Sequence, residues 1–223
     1  MNDLQNSKPG ILFDFDGTLV DSMVNHFKAW SSALKLYGVE CDSSSFFALE
    51  GMRLQDVARS LLNNLSASES MVAGIIRQKE AFYLQGAPSR LYPGVEELTK
   101  KLFDRQIPMA IVTSGLYSRI EASTPKSFLR RFNAVISGES TMRGKPHPDP
   151  FLLGAESLGI PATSCIAVEN APLGVRSAKA SGAYTIAVCS TLSRGYFQQA
   201  DEVVTSIADL LEHSSPLCRL GLL

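Results

Sequence analysis

Cysteine is scarce and scattered in this chain. Cys41, Cys165, Cys189 and Cys218 form no Cys-x-x-Cys pair, which argues against a disulfide framework and against a structural zinc site. Reduced thiols in a cytoplasmic protein are the simpler expectation. Neither sign of charge dominates, because 21 basic residues face 22 acidic ones. No stretch concentrates the basic charge, so nucleic acid and an anionic membrane surface are not expected as partners. Long apolar runs are missing too, and the polar start from Met1 to Lys8 has no apolar signal core. No membrane span is expected, and the protein should be soluble and unexported. There is no internal repeat and no low-complexity tract, and the tail after Ser214 is too short and mixed to interpret.

What is present is a series of short apolar runs, each ending in small or polar residues and followed by a helix-like segment. The clearest are Ile11 to Phe15, Met109 to Thr113, Ala134 to Ile136, Cys165 to Glu169 and Tyr184 to Val188, with a weaker one at Glu202 to Val204. This alternation predicts an α/β fold on a parallel sheet. Chemistry in such sheets collects at the carboxyl ends of the strands. Three runs end in reactive types there: Asp14 and Asp16, Thr113, and Glu169 with Asn170. They share one site only if their strands are neighbours.

Between Val24 and Leu91 the alternation stops. Apolar residues recur at helical spacing in Phe27, Ala29, Trp30, Ala33, Leu34 and Tyr37, and again in Val57, Leu61, Leu62 and Leu65. The interval reads as a helical insert, leaving residues 1–23 and 92–223 as the core. Pro and Gly residues at 86–89 and 92–94 punctuate its exit, and both connections would serve as hinges. At 223 residues the chain is long enough for a substantial core plus such a module. The insert's apolar face would serve internal packing or a second copy, so monomer and homodimer both stay open.

The strongest chemical signal is Asp14-Phe15-Asp16-Gly17-Thr18-Leu19-Val20-Asp21, directly after an apolar strand. Residues two apart at a strand end can point to the same side, and Gly17 permits a sharp turn. One carboxylate could attack phosphorus while the other moves a proton. Two carboxylates beside a phosphate dianion repel it, so the arrangement calls for a hard cation. Magnesium, with oxygen ligands and retained waters, suits the task.

With that octapeptide the sequence resembles the haloacid dehalogenase superfamily, in its phosphatase and β-phosphoglucomutase branch with a helical cap after the first motif. The resemblance covers nearly the entire chain and implies a Rossmann-like parallel-sheet core with an inserted α-helical cap. It makes Asp14 the nucleophile and Asp16 the general acid and base. The family's dehalogenases lack the second Asp, so its presence favours phosphoryl transfer over carbon–halogen cleavage. Val112-Thr113-Ser114-Gly115 resembles the second motif, where Thr113, Ser114 and backbone N–H groups would hold phosphate oxygens. Lys145, in Gly144-Lys145-Pro146-His147-Pro148, resembles the third motif and would neutralise the nucleophile and the transferring group. The same stretch is not a P-loop, since Pro146 stands where Ser or Thr is required.

Glu169-Asn170 resembles the fourth motif, although many relatives carry two acidic residues there. The resemblance implies magnesium ligands from Asp14, the Asp16 backbone carbonyl, and either Glu169 or Asn170. In the insert, the segment from Asp21 to Trp30 resembles the β-phosphoglucomutase pattern, in which His26 would couple cap closure to acid–base catalysis. Lys79, on one helical face with Tyr83, would lie near a second anionic group of the substrate. The loop Leu49-Glu50-Gly51-Met52-Arg53 aligns with a substrate-specificity loop, with Glu50 in place of a basic residue and Arg53 shifted. A Glu-Gly loop with a Glu-Asn fourth motif also resembles one inorganic pyrophosphatase of the branch. The leading expectation is a magnesium-dependent phosphatase that hydrolyses a small phosphorylated metabolite, a sugar phosphate or pyrophosphate, through an aspartyl-phosphate. A phosphohexose mutase comes second and a noncatalytic module third.

Overall fold

The computed structural model describes residues 8–62 and 67–223. Leu65 of the insert pattern and residues 1–7 of the polar start lie outside the described residues. Strand β1 (Gly10–Phe13) opens the fold, and two short strands, β2 (Val20–Asp21) and β3 (Arg90–Leu91), pair antiparallel where the insert leaves and rejoins the core. The insert holds helices α1 (Met23–Lys35), α2 (Ser43–Phe47), α3 (Leu54–Leu61) and α4 (Glu69–Gln85). There follow α5 (Val95–Asp104), β4 (Met109–Val112), α6 (Tyr117–Ser123), α7 (Lys126–Leu129), β5 (Ala134–Ile136) and α8 (Asp149–Ser157). The chain ends through β6 (Cys165–Glu169), α9 (Pro172–Ser181), β7 (Tyr184–Val188), β8 (Glu202–Val204) and α10 (Pro216–Arg219).

Six strands form one parallel sheet in the order β5, β4, β1, β6, β7, β8. Each of the six apolar runs read from the sequence becomes one of these strands, including the weak one at the β8 edge. The sheet is buried on both faces, as parallel sheets are, and successive residues face opposite ways. Ile11, Phe13, Ile111 and Val168 pack on one face with Leu98 and Leu102 of α5 and Ile120 of α6. Leu12, Ala110, Val112 and Ala167 pack on the other with Phe151 and Ala155 of α8 and Ala178 of α9. Removal of each such Ile, Leu, Val or Phe side chain from water contributes about 1.5–3 kcal/mol, which makes the two-sided register hard to slip.

The insert has a separate apolar cluster of Trp30, Ala33, Leu34, Phe46, Leu54, Val57, Ala58, Val72 and Ile75. Two of its helices, α2 and α4, are started by a capping side chain. Asp42 caps α2 through the Ser45 N–H at 2.9 Å, and Ser68 caps α4 through the Met71 N–H at 3.2 Å. No helix among the described residues is long and apolar enough to cross a membrane. All four cysteines are free.

Candidate active site

Strand order settles the convergence. β1 lies between β4 and β6, so the residues following all three strands meet at one sheet edge. Asp14 follows β1, Thr113 follows β4, and Glu169 with Asn170 closes β6. Lys145 reaches into the same place from the loop before α8. Its ammonium donates to Asp14 Oδ1 at 2.6 Å, to Glu169 Oε1 at 2.6 Å and to the Val112 carbonyl at 3.0 Å. All three donors are therefore used, and the two buried carboxylates hold Lys145 protonated against its burial. Burial pushes the Asp14 carboxyl up to about 7, with Lys145 pulling the other way.

Glu169 is committed on both oxygens. Oε1 takes Lys145, and Oε2 accepts the Ala171 N–H at 2.7 Å. Space for it is made by Gly174, where a Cβ would stand 1.7 Å from Glu169 Oε1. Asn170 is placed differently. One atom of its amide faces Thr18 Oγ1 at 3.0 Å, the Asp16 backbone oxygen at 3.2 Å and Asp14 Oδ2 at 3.3 Å. With the amide nitrogen in that position, the group donates to these oxygens. With the amide oxygen there, the cluster consists of oxygens from a carboxylate, a peptide and an amide, and it needs a cation.

Among the described residues no three His, Cys, Asp or Glu side chains make a metal cluster. A cation here would meet one carboxylate, one peptide carbonyl and one amide oxygen, a set that magnesium could accept only with waters completing its shell. The oxygens present fit such an ion: Asp14, the Asp16 carbonyl and Asn170 would hold it, while Glu169 is taken up by Lys145 and the Ala171 N–H. Gly17 makes the turn, at φ 85°, and a Cβ on it would lie 2.2 Å from Asn170 Nδ2.

Asp16 points across the seam toward the insert. Its Oδ1 accepts from Ser22 Oγ at 2.7 Å and from His26 Nε2 at 3.0 Å, and its Oδ2 accepts from Arg119 Nη2 at 2.5 Å. Burial alone would raise its pKa, but Arg119 and then His26 outweigh it and hold the carboxyl well below the ordinary range. His26 goes down to about 3, by burial and by the nearby Lys79. The His26 contact is therefore a hydrogen bond from a neutral ring, protonated on Nε2, rather than an ion pair. The ring stacks on Tyr83 with centroids 4.3 Å apart.

Asp14, Asp16, His26, Glu50, Lys79, Thr113, Ser114, Arg119 and Asn170 line a cavity of about 70 Å³ beneath the insert. Met23, Trp30, Phe46, Leu49, Met52, Leu54 and Val57 form its apolar wall. The insert is closed over the site, because its His26 bonds Asp16 and its Gly51 carbonyl accepts from Ser114 of the core. Thr113 Oγ1 accepts the Gly115 N–H at 3.0 Å, and Ser114 Oγ donates to the Gly51 carbonyl at 2.7 Å. Glu50 crosses to the core, where Thr191 Oγ1 donates to its Oε2 at 2.8 Å, while its Oε1 is buried without a partner. Lys79 is fully buried and pairs with Glu80 at 2.7 Å. Arg53 is not brought to this cavity. Its guanidinium takes Asp56 at 3.1 Å and the Met142 carbonyl at 2.6 Å, because its place at the start of α3 turns it outward along the seam.

Sequence reasoning missed Arg119, Glu80, Ser22 and Thr191. Ser22 lies one residue beyond the octapeptide and could have been drawn from it. Arg119 carries a fainter signal, an Arg four residues after Gly115 at the start of a helix.

The family model for haloacid dehalogenase-like hydrolases matches residues 11–188. The chain belongs to that family. It is 31% identical to hexitol phosphatase A of Escherichia coli over 207 residues, covering 93% of this chain and 95% of that one. It is 32% identical over 178 residues to a fructose-1-phosphate phosphatase of the same organism, covering 78% and 92%. A crystal structure of β-phosphoglucomutase from Clostridium difficile superposes with a TM-score of 0.81 over 92% of this chain and 93% of that one, at 20% identity, so it speaks for the fold.

Proposed function

We propose that the protein is a magnesium-dependent phosphatase that hydrolyses a small sugar-phosphate-like monoester through an aspartyl-phosphate on Asp14. The observation that carries this reading is the division of the Asp14 carboxylate. One oxygen is held by Lys145, and the other faces the Asn170 amide, which also faces the Asp16 carbonyl. Asp14, the Asp16 carbonyl and Asn170 would hold magnesium, which supplies positive charge to offset the phosphoryl oxygens.

Asp14 attacks phosphorus in line, and the bond from phosphorus to the ester oxygen breaks. The leaving oxygen takes its proton from Asp16. Water then attacks the aspartyl-phosphate, giving its proton to Asp16, and the bond from phosphorus to Asp14 breaks to release phosphate. The ionised Asp16 of the closed form is already the base of the second step. For the first step it takes up a proton as the phosphate dianion arrives, since a like charge nearby favours the neutral acid. Thr113, Ser114 and the backbone beside them hold phosphoryl oxygens. The insert opens to admit a substrate larger than the closed cavity and excludes water on closing.

Relatives named as sugar and sugar-alcohol phosphatases support the substrate class. A phosphohexose mutase is the second reading, favoured by the buried His26 and Lys79 in the cavity wall and by a relative named β-phosphoglucomutase. The deciding experiment is phosphate release from sugar phosphates, phosphoglycolate, nucleotides and pyrophosphate, with magnesium or chelator, beside an assay of glucose-phosphate isomerisation. Magnesium-dependent release, lost in Asp14→Asn, is expected. Isomerisation without release would replace the phosphatase by the mutase, and substantial turnover by Asp14→Asn would remove Asp14 as nucleophile.

A further inference from the structure

The cluster at the seam contains an arginine that none of the four motifs accounts for. Arg119 is a core residue on α6, only 2% exposed. It reaches Asp16 with a fork, Nη2 at 2.5 Å from Oδ2 and Nη1 at 3.3 Å from Oδ1. Its Nε faces Glu80 Oε2 of the insert at 3.7 Å, and these two buried atoms have no closer partner. Its guanidinium lies 5.1 Å from the Tyr83 ring, also from the insert. The groove is cut to fit. A Cβ on Gly115 would stand 2.1 Å from Arg119 Nη2.

A buried arginine loses much hydration, and the loss is offset only where its geometry is fixed by partners. Here those partners come from both sides of the seam: Asp16 from the core, Glu80 and Tyr83 from the insert. A planar fork fixes the rotation of the carboxylate it holds, which a lysine ammonium does not. We propose that Arg119 is a positioning residue for Asp16, and that Glu80 sets Arg119 when the insert closes. The relay runs Glu80, Arg119, Asp16, so closure of the insert orients the proton-transferring carboxylate. The inference rests on the phosphatase reading, in which Asp16 moves the proton. Arg119 itself performs no proton transfer.

The test is steady-state kinetics on the substrate that the wild type hydrolyses best, with melting curves recorded for every variant. Arg119→Gln is expected to lower kcat by about 100-fold, within the span that general acid–base catalysis contributes, and to leave KM within about threefold. Arg119→Lys should recover part of kcat, and free guanidinium should raise the kcat of Arg119→Ala by about tenfold. Glu80→Gln should lower kcat by about tenfold in the wild type and hardly at all in Arg119→Gln, because the two act through one chain. An unchanged kcat in folded Arg119→Gln, a loss confined to KM, or additive losses in the double variant would overturn the inference while the wild type stays active. A wild type that releases no phosphate removes both the phosphatase reading and this one. If Arg119→Gln fails to fold, Glu80→Gln and Arg119→Lys decide the question by the same kcat criterion.

Discussion

Lys145 and Asp14 lie 2.6 Å apart with almost no exposed surface between them, and the same ammonium is 2.6 Å from Glu169. Two buried acids thus share one cation. Removing a partner from a buried ionic cluster leaves charge that nothing compensates, at a cost of about 3–5 kcal/mol. Lys145→Met should lower stability by that amount in urea unfolding and abolish phosphate release. Adding Glu169→Gln to it should recover part of the stability and none of the activity. A Lys145→Met protein as stable as the wild type would show that the cluster is not ionised as drawn.

Gly174 sets two effects against each other. It lies inside α9, where Ala is favoured over Gly by about 1 kcal/mol. A Cβ there would stand 1.7 Å from Glu169 Oε1, a buried atom already bound to Lys145. Overlap with a pinned carboxylate is relieved only by moving it, and crowding of this kind costs about 1–3 kcal/mol. The clash should win. Gly174→Ala is expected to lower the melting temperature and kcat together, whereas helix propensity alone would raise the first.

Most of the fold is legible in the sequence, because a parallel sheet buried on both faces writes itself as apolar runs ending in small or polar residues. Ile11 to Phe13 and Cys165 to Val168 are of this kind. Strands β2 and β3, two residues each, are not legible, since pairs so short carry no period. Asp14 and Asp16 are legible for another reason, as adjacent members of one turn. Arg119 and Glu80 are not. On a helix, a lone charge usually marks a solvated face, and only the closure of α4 against α6 turns both inward. Arg53 shows the converse, a charge near the expected loop whose helix start aims it at Asp56 and Met142.

Lys79 gives a pH signature. Burial pulls its pKa from the ordinary 10.5 down to about 8 against the pull of Glu80. Between pH 8 and 10.5 the unfolded chain therefore binds more protons at this residue than the folded one, and stability rises with pH wherever that holds. The slope is about 1.4 kcal/mol per pH unit for one fully shifted group. Lys79→Met lacks this term. The stability of the wild type relative to Lys79→Met should accordingly increase across that window in denaturant titrations at stepped pH. A difference that stays flat would mean that Lys79 keeps an ordinary pKa in the folded state.

Asn170 offers the sharpest test of the cation site. Its amide faces Asp14 Oδ2 at 3.3 Å and the Asp16 carbonyl at 3.2 Å. In Asn170→Asp, a second carboxylate would stand beside the first at nearly unchanged shape. Without a cation the two repel, so the variant should melt below the wild type in chelator. With magnesium the added charge strengthens an oxygen site, because affinity for hard cations follows ligand charge. The stabilisation gained on adding magnesium should therefore be larger in Asn170→Asp than in the wild type, and binding to the native state alone makes it grow with metal concentration. Asn170→Ala should show the opposite, a smaller response than the wild type. Equal responses in all three proteins would place the cation elsewhere and leave the Asn170 amide as a hydrogen-bond donor to Asp14.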